Sequence, residues 1–337
     1  MVGGRYEIGS WERITTRQNL ARNRYLVQQK FDRPVLAPPR VLYAVWHYPL
    51  VCEMYVTTEI DRMRRWGVHV EVWSEVTPVS HFPTAVPVHR GTLSAAIERV
   101  RPDVVHVHWL NMVAGYRDVL ERAELPATVR GHGFECTPDL VTALALGPVI
   151  RTLDVFPHMA AACRPALGKI QPMTACFNPL QFFPGERKNP RLVLRAGSAL
   201  HIKDIPRFMS VARECPDHRF LLLLGRCNRA EEVVEELIEQ NQLLGSPVEL
   251  RVNVSPDETA SLVRQAGIYL HTHAEGGSYG MPVSVCEAMA TGAYVIGRRC
   301  AASELYMGDP TRFYDDLDQA ARLVRMTTEC SEDRWHR

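Results

Sequence analysis

Ile268-Tyr-Leu-His-Thr-His-Ala-Glu275-Gly-Gly-Ser-Tyr279-Gly280-Met281-Pro282-Val-Ser-Val-Cys-Glu287-Ala-Met-Ala-Thr-Gly292-Ala-Tyr-Val-Ile296 reads as a strand, a glycine-rich turn, a helix and a second strand. The apolar runs Ile268 to His271 and Ala293 to Ile296 are too short to be helices and suit buried strands. Between them, Pro282 fits a first helical turn, where its missing N–H has no helical partner, and Ala290 ends the helix just before a glycine. Two strands joined through a helix run parallel, because a tight hairpin can only join antiparallel ones.

The same alternation extends outward from this unit. Upstream the pattern predicts strands at Leu192 to Arg195, Arg219 to Leu224 and Val248 to Val252, with helices near Ile205 to Arg213, Glu231 to Gln242 and Asp257 to Gln265. A Pro-rich stretch from Asn178 to Pro190 lacks periodicity and reads as a linker. Before it come predicted strands at Val41 to Val45, Val68 to Trp73, Asp103 to His108 and Ala127 to Arg130, with helices from Glu53 to Trp66 and Met112 to Ala123. The expected fold is therefore α/β, with two Rossmann-like domains facing across a cleft, over residues 40–180 and 190–337. Residues 1–39 read as an N-terminal helical arm, with Ile14, Leu20, Tyr25 and Leu26 among arginines, stopped by Pro34, Pro38 and Pro39. The arm is expected to pack on the chain's own domain or on a second subunit, making a homo-oligomer.

Composition narrows the function. A length of 337 residues suits two cores, and a net charge of +1 gives no electrostatic reason to expect nucleic acid as a partner. The nine cysteines are scattered singly, without zinc-site spacing, as expected of reduced thiols in the cytoplasm. No apolar run is long enough to span a bilayer and no apolar signal core is visible, so any membrane association is expected to be peripheral. Only Lys30, Lys169, Lys188 and Lys203 are lysines, which makes a lysine at a motif position informative.

The turn before the helix carries the densest chemical signal. Glycines let the backbone approach a ligand, and the unbonded amides at the helix start, with the positive end of the helix dipole, suit a phosphate. Glu287, five residues after Pro282, sits near the helix mouth, able to accept hydrogen bonds from sugar hydroxyls. A glycine-rich turn followed by a helix with an incidental surface glutamate remains the competing reading of these residues alone.

This stretch resembles the signature of the retaining glycosyltransferases of family 4, which have the GT-B fold: a Glu, seven residues, then a second Glu followed by Ala-Met-Ala-x-Gly. Glu287-Ala-Met-Ala-Thr-Gly292 matches the second half, and Gly280-Met281-Pro282 matches its usual Gly-Leu-Pro. The resemblance implies that Glu287 binds the donor ribose. Tyr279 stands where the family has its first Glu, with Glu275 four residues earlier, and both are candidate donor-sugar contacts. Ala196-Gly197-Ser198-Ala-Leu-His-Ile-Lys203-Asp204 is similar to the family's Gly-Arg-Leu-x-x-x-Lys-Gly/Asp, which implies that Lys203 binds phosphate. Ser198 replaces the usual Arg there, and Arg195 on the same strand end is a candidate substitute.

In the first half, Tyr48 to Ile60 looks like the Phe-Pro-x-x-Ser-Glu-Thr-Phe-Ile-x-x-Glu-Ile of polysaccharide-type members. Thr128-Val-Arg-Gly-His132-Gly-Phe resembles a strand-end His-Gly that faces the donor sugar, which makes His132 the catalytic-side candidate. The implied activity is transfer of a sugar from a nucleotide-diphosphate sugar, such as a UDP- or GDP-sugar, to an acceptor hydroxyl with retention. The acceptor class stays open among small molecules, natural products, glycans and lipid-linked sugars. No further cofactor is expected. The pairs His106/His108 and His271/His273 have no visible third ligand, and Asp154, Asp204 and Asp309 do not form the Asp-x-Asp pair of metal-dependent transferases, so the chemistry is expected to be metal-independent. Two alternatives remain: an epimerase or hydrolase of the same fold, and a non-catalytic nucleotide-sugar-binding protein.

Overall fold

The computed structural model describes residues 37–78, 82–185, 187–226, 231–275 and 280–335. Except for residues 37–39, the expected arm lies outside the described residues. Seven strands form the first sheet: β1 (Arg40–His47), β2 (His69–Val76), β3 (Val88–His89), β4 (Val104–Val107), β5 (Ala127–Arg130), β6 (Ile150–Val155) and β7 (Ile170–Pro172). Six form the second: β8 (Asn189–Ser198), β9 (Arg219–Gly225), β10 (Val248–Val252), β11 (Ala266–His271), β12 (Tyr294–Arg298) and β13 (Phe313–Tyr314). Their spatial orders are β3-β2-β1-β4-β5-β6-β7 and β10-β9-β8-β11-β12-β13. Every neighbouring pair is parallel.

Parallel neighbours require crossovers, and the helices supply them. In the first half these are α1 (Met54–Arg65), α2 (Leu93–Val100), α3 (Val113–Arg122) and α4 (Pro138–Ala145). In the second they are α5 (Ile205–Glu214), α6 (Glu231–Leu243), α7 (Pro256–Gln265), α8 (Val283–Ala290) and α9 (Ala301–Met307), while α10 (Leu317–Trp335) follows the last strand. Several starts are written locally in the sequence. The hydroxyls of Thr92, Thr137 and Ser255 accept from the backbone N–H three residues on, satisfying amides that the helix itself leaves unbonded.

Burial on both sheet faces explains why the strands are continuous apolar runs. Along β9, Phe220, Leu222 and Leu224 join one core while Leu221 and Leu223 join the core on the opposite face. In β1 the same alternation sends Leu42 and Ala44 to one side and Tyr43 and Val45 to the other. Each such aliphatic side chain contributes about 1.5–3 kcal/mol by leaving water.

The Pro-rich linker is tied to the second half. Phe182 is buried in that half's core, the Arg264 guanidinium lies 5.0 Å above the Phe183 ring, and Gln181 donates to Asp257 Oδ1 at 2.9 Å.

Candidate functional site

In both sheets the chain turns in opposite directions from two adjacent strands, β1 and β4 in the first and β8 and β11 in the second. Beyond the carboxyl ends of such strands the connecting loops diverge and leave a crevice. One cleft joins the two halves there. It is lined from the first half by Tyr55, Thr58, Glu59, Arg130 and His132, and from the second by Arg195, Ser198, Lys203, Gly280, Met281 and Glu287.

The second-half wall is built by two turns pinned together. Lys203 ends a short 3-10 turn that follows β8. Arg195, 1% exposed, donates through Nη2 to the carbonyl oxygens of Lys203 at 2.9 Å and Thr272 at 2.8 Å. Thr272 Oγ1 donates to the same Lys203 oxygen at 2.8 Å, and Ala274 N–H donates to Ile202 at 2.9 Å. Arg195, the candidate substitute for the family's Arg, lines the cleft, and its two bonds brace the turn that carries Lys203.

α8 begins after Pro282, which stands as the residue before the helix rather than in its first turn. The first amides of α8 have no partner within the helix, so its N-terminus opens on the cleft. Glu287, one turn further in, is half-buried, and no donor among the described residues bonds its carboxyl. Burial alone pushes that group up to about 8. Such a carboxyl is costly to leave charged and gains from any hydroxyl that donates to it.

Gly280 and Met281 carry the second half onto the first. Met281 packs against the first half's core, and its Sδ accepts from the Ala175 N–H at 3.0 Å. Ser198, at the end of β8, is half-buried on the cleft wall. Glu275 is not brought to the cleft: its side chain is 92% exposed and pairs with Arg298 at 3.3 Å, drawn to the cation at the end of β12. Tyr279 lies outside the described residues.

His132 follows β5, and its position is set by Glu135. The fully buried Glu135 carboxylate accepts from the backbone N–H of His132 at 2.7 Å and of Gly133 at 3.2 Å, and lies 3.5 Å from His132 Nδ1. Burial pushes Glu135 up, but the bonds from His132 outweigh it and hold the carboxyl below its ordinary value. Burial holds the His132 imidazole below its own ordinary value, against the pull of Glu135 and with help from Arg130. The ring stacks on Trp109 at 3.8 Å and leans on His108 at 4.7 Å. A neutral, aromatically packed imidazole can accept and donate hydrogen bonds but is poorly suited to carry charge.

Sequence reasoning assigned no role to Glu59 and Arg130. The two form a mostly buried ion pair, both 12% exposed, and Tyr43 Oη donates to the other Glu59 oxygen at 2.8 Å. Both residues lay within the stretches that carried the resemblance, but a pairing across 71 positions leaves no local signal. His106 and His108 are buried with ring centroids 5.6 Å apart, and His271 and His273 5.9 Å apart. Among the described residues no group of three His, Cys, Asp or Glu is arranged to hold a metal, and no helix is long and apolar enough to cross a membrane.

No protein-family model matches the chain, and no curated protein matches its sequence. Solved structures do match its shape. Sucrose-phosphate synthase from Thermosynechococcus elongatus superposes with a TM-score of 0.68 at 14% identity, over 85% of this chain and 89% of that one. HepE from Anabaena, in complex with UDP-glucose, gives a TM-score of 0.67 at 12% identity over 88% and 91%. AviGT4, a glycosyltransferase involved in avilamycin A biosynthesis, gives 0.56 at 16% identity over 89% and 98%. With two all-parallel sheets, helices on their faces and a cleft at the strand ends, the chain has the two-domain α/β architecture of the GT-B fold.

Proposed function

We propose that the chain is a glycosyltransferase that takes a sugar from a nucleotide-diphosphate sugar and passes it to an acceptor hydroxyl, with retention and without a metal, as in the family 4 enzymes it resembles. The observation that carries this reading is Glu287: a half-buried carboxyl without a donor among the described residues, on the cleft wall shared by Lys203 and the start of α8. The diphosphate lies between Lys203 and the first amides of α8, and the ribose hydroxyls donate to Glu287. Similarity to HepE, which binds UDP and UDP-glucose, supports a UDP-sugar as the donor to try first.

In this reading the bond from the sugar's anomeric carbon to the diphosphate breaks, and the acceptor oxygen bonds to that carbon. The hydroxyl proton leaves with the diphosphate oxygen or solvent. Negative charge grows on the leaving diphosphate, where Lys203 and the helix amides are already fixed, so they stabilise the transition state more than the ground state. The neutral His132, held by Glu135 and Trp109, orients the sugar across the cleft.

Nucleotide release from UDP- and GDP-sugars, measured with and without a panel of hydroxyl acceptors, tests the reading. Release that requires an acceptor is expected. Donor conversion without acceptor makes the chain an epimerase or hydrolase, and tight nucleotide binding without conversion makes it a binding protein.

A further inference from the structure

Next to His132, at the ends of β4 and β5, lie two aromatic rings, Trp109 and Phe134, that do not line the donor wall of the cleft. The turn after β5 is anchored inward: Glu135 is fully buried and bonds the amides of His132 and Gly133, and Cys136 N–H closes the turn on Gly133 at 2.9 Å. Between these anchored residues Phe134 is turned outward and is 61% exposed. The inward bonds on either side of Phe134 fix where its ring is presented, so its apolar surface is available to a ligand.

Trp109, half-buried at the end of β4, lies 6.5 Å from Phe134 with the ring planes 30° apart, and it also stacks on His132 at 3.8 Å. The three rings adjoin one another as a shelf, from His132 on the cleft wall through Trp109 to the exposed Phe134. Two polar atoms of the adjoining turn, Trp109 Nε1 and Asn111 Oδ1, are buried without a partner. Unpaired buried groups of this kind are uncommon, and each gains from any hydroxyl that reaches it.

We propose that this shelf of His132, Trp109 and Phe134 is the acceptor subsite, and that its ligand is a neutral pyranoside. The C–H face of a pyranose packs flat on aromatic rings while its hydroxyls reach polar groups at the edge, which matches a shelf with one orphaned donor and one orphaned acceptor beside it. Charge favours a neutral ligand. Arg130, the cation on the adjoining cleft wall, is tied to Glu59, and the Glu135 carboxylate lies directly behind the turn. The word acceptor rests on the glycosyltransferase reading; the binding of a pyranoside does not.

The test is saturation-transfer NMR on the whole protein with methyl α- and β-glycosides of glucose, galactose and mannose, with UDP binding followed separately by thermal shift. Saturation transfer to the ring C–H protons of at least one glycoside is expected. It should fall about threefold or more in Phe134→Ala and be kept in Phe134→Tyr, with the UDP shift unchanged in both, since Phe134 is exposed and outside the donor wall. Transfer unaltered in Phe134→Ala, or no transfer to any glycoside while UDP binds, overturns the subsite. So does Phe134-dependent sedimentation with phosphatidylglycerol vesicles in the absence of glycoside binding, which makes the ring a lipid anchor. Glycoside binding that depends on Phe134 while UDP fails to bind supports the subsite and removes the nucleotide-sugar reading instead.

Discussion

The backbone of Gly280 lies against the carbonyl oxygen of His132, so that a Cβ at position 280 would fall on that oxygen and on the Phe156 ring. One glycine therefore sets how near the loop before α8 comes to the strand end that carries His132. The obstacle is backbone on one side and a ring packed in the first half's core on the other, so neither yields cheaply. Gly280→Ala is expected to push the two cleft walls apart, lowering stability by about 1–3 kcal/mol. Turnover should fall by more than nucleotide affinity does, because the sugar side of the cleft is the side displaced. Parallel melting curves, nucleotide titrations and initial rates check this, and normal turnover in Gly280→Ala would show that the contact does not set the geometry.

Lys203 and Glu287 are expected to act on the nucleotide rather than on the fold. Both line the cleft, and Arg195 braces the turn of Lys203 through a backbone oxygen that substitution leaves in place. Lys203→Ala and Glu287→Ala should each cost about 1.5–3 kcal/mol of UDP binding, or roughly ten- to a hundredfold in affinity. Calorimetric titration on folded variants is the measurement. An unchanged affinity in either variant removes that residue from the donor site.

Much of the fold is legible in the sequence. The leucine run of β9 and the apolar core of β1 specify buried parallel strands, and the order of strands and helices specifies two doubly wound halves. Lys203 and Glu287 were legible because their chemistry sits in short local stretches. What was not legible depends on contacts between distant positions. Nothing near Arg195 reveals that its Nη2 donates to the carbonyls of Lys203 and Thr272. Nothing near Glu275 reveals Arg298, which is brought to it only by the pairing of β11 with β12. The partnership of Glu59 with Arg130 likewise exists only once α1 packs beside the end of β5.

That ion pair gives a third prediction. Removing one partner of a mostly buried pair leaves the other charge uncompensated, at a cost of about 3–5 kcal/mol. Glu59→Gln should therefore destabilise strongly by leaving Arg130 buried and charged, and Tyr43 loses its carboxylate acceptor as well. The double variant Glu59→Gln with Arg130→Met should recover part of the loss, because the buried cation goes with its partner, and only part because Asp154 loses Arg130 as well. Urea denaturation of the wild type, the single variant and the double variant measures this; a single variant as stable as the wild type would mean that water already compensates Arg130.

The pH dependence of Glu287 supplies the last prediction. Its carboxyl is pushed up to about 8 in the folded protein by burial, against an ordinary value of about 4.3 in the unfolded chain. Between these two values the folded state holds a proton that the unfolded state has released, so stability falls as pH rises through this window. Glu287→Gln cannot release that proton. Its melting temperature should match that of the wild type near pH 4.5 and exceed it progressively toward pH 8, with no further gain above. Ligand binding runs the other way. Ribose hydroxyls donate to the charged carboxylate, so UDP affinity in the wild type should rise from pH 6 to pH 8.5, and binding in the lower part of that range should release a proton. In Glu287→Gln the affinity should be lower and its pH dependence lost. Melting scans and calorimetry in buffers of different ionisation enthalpy measure both slopes. A melting difference independent of pH, together with an affinity that declines toward pH 8.5, would mean that Glu287 is not the titrating group of the cleft.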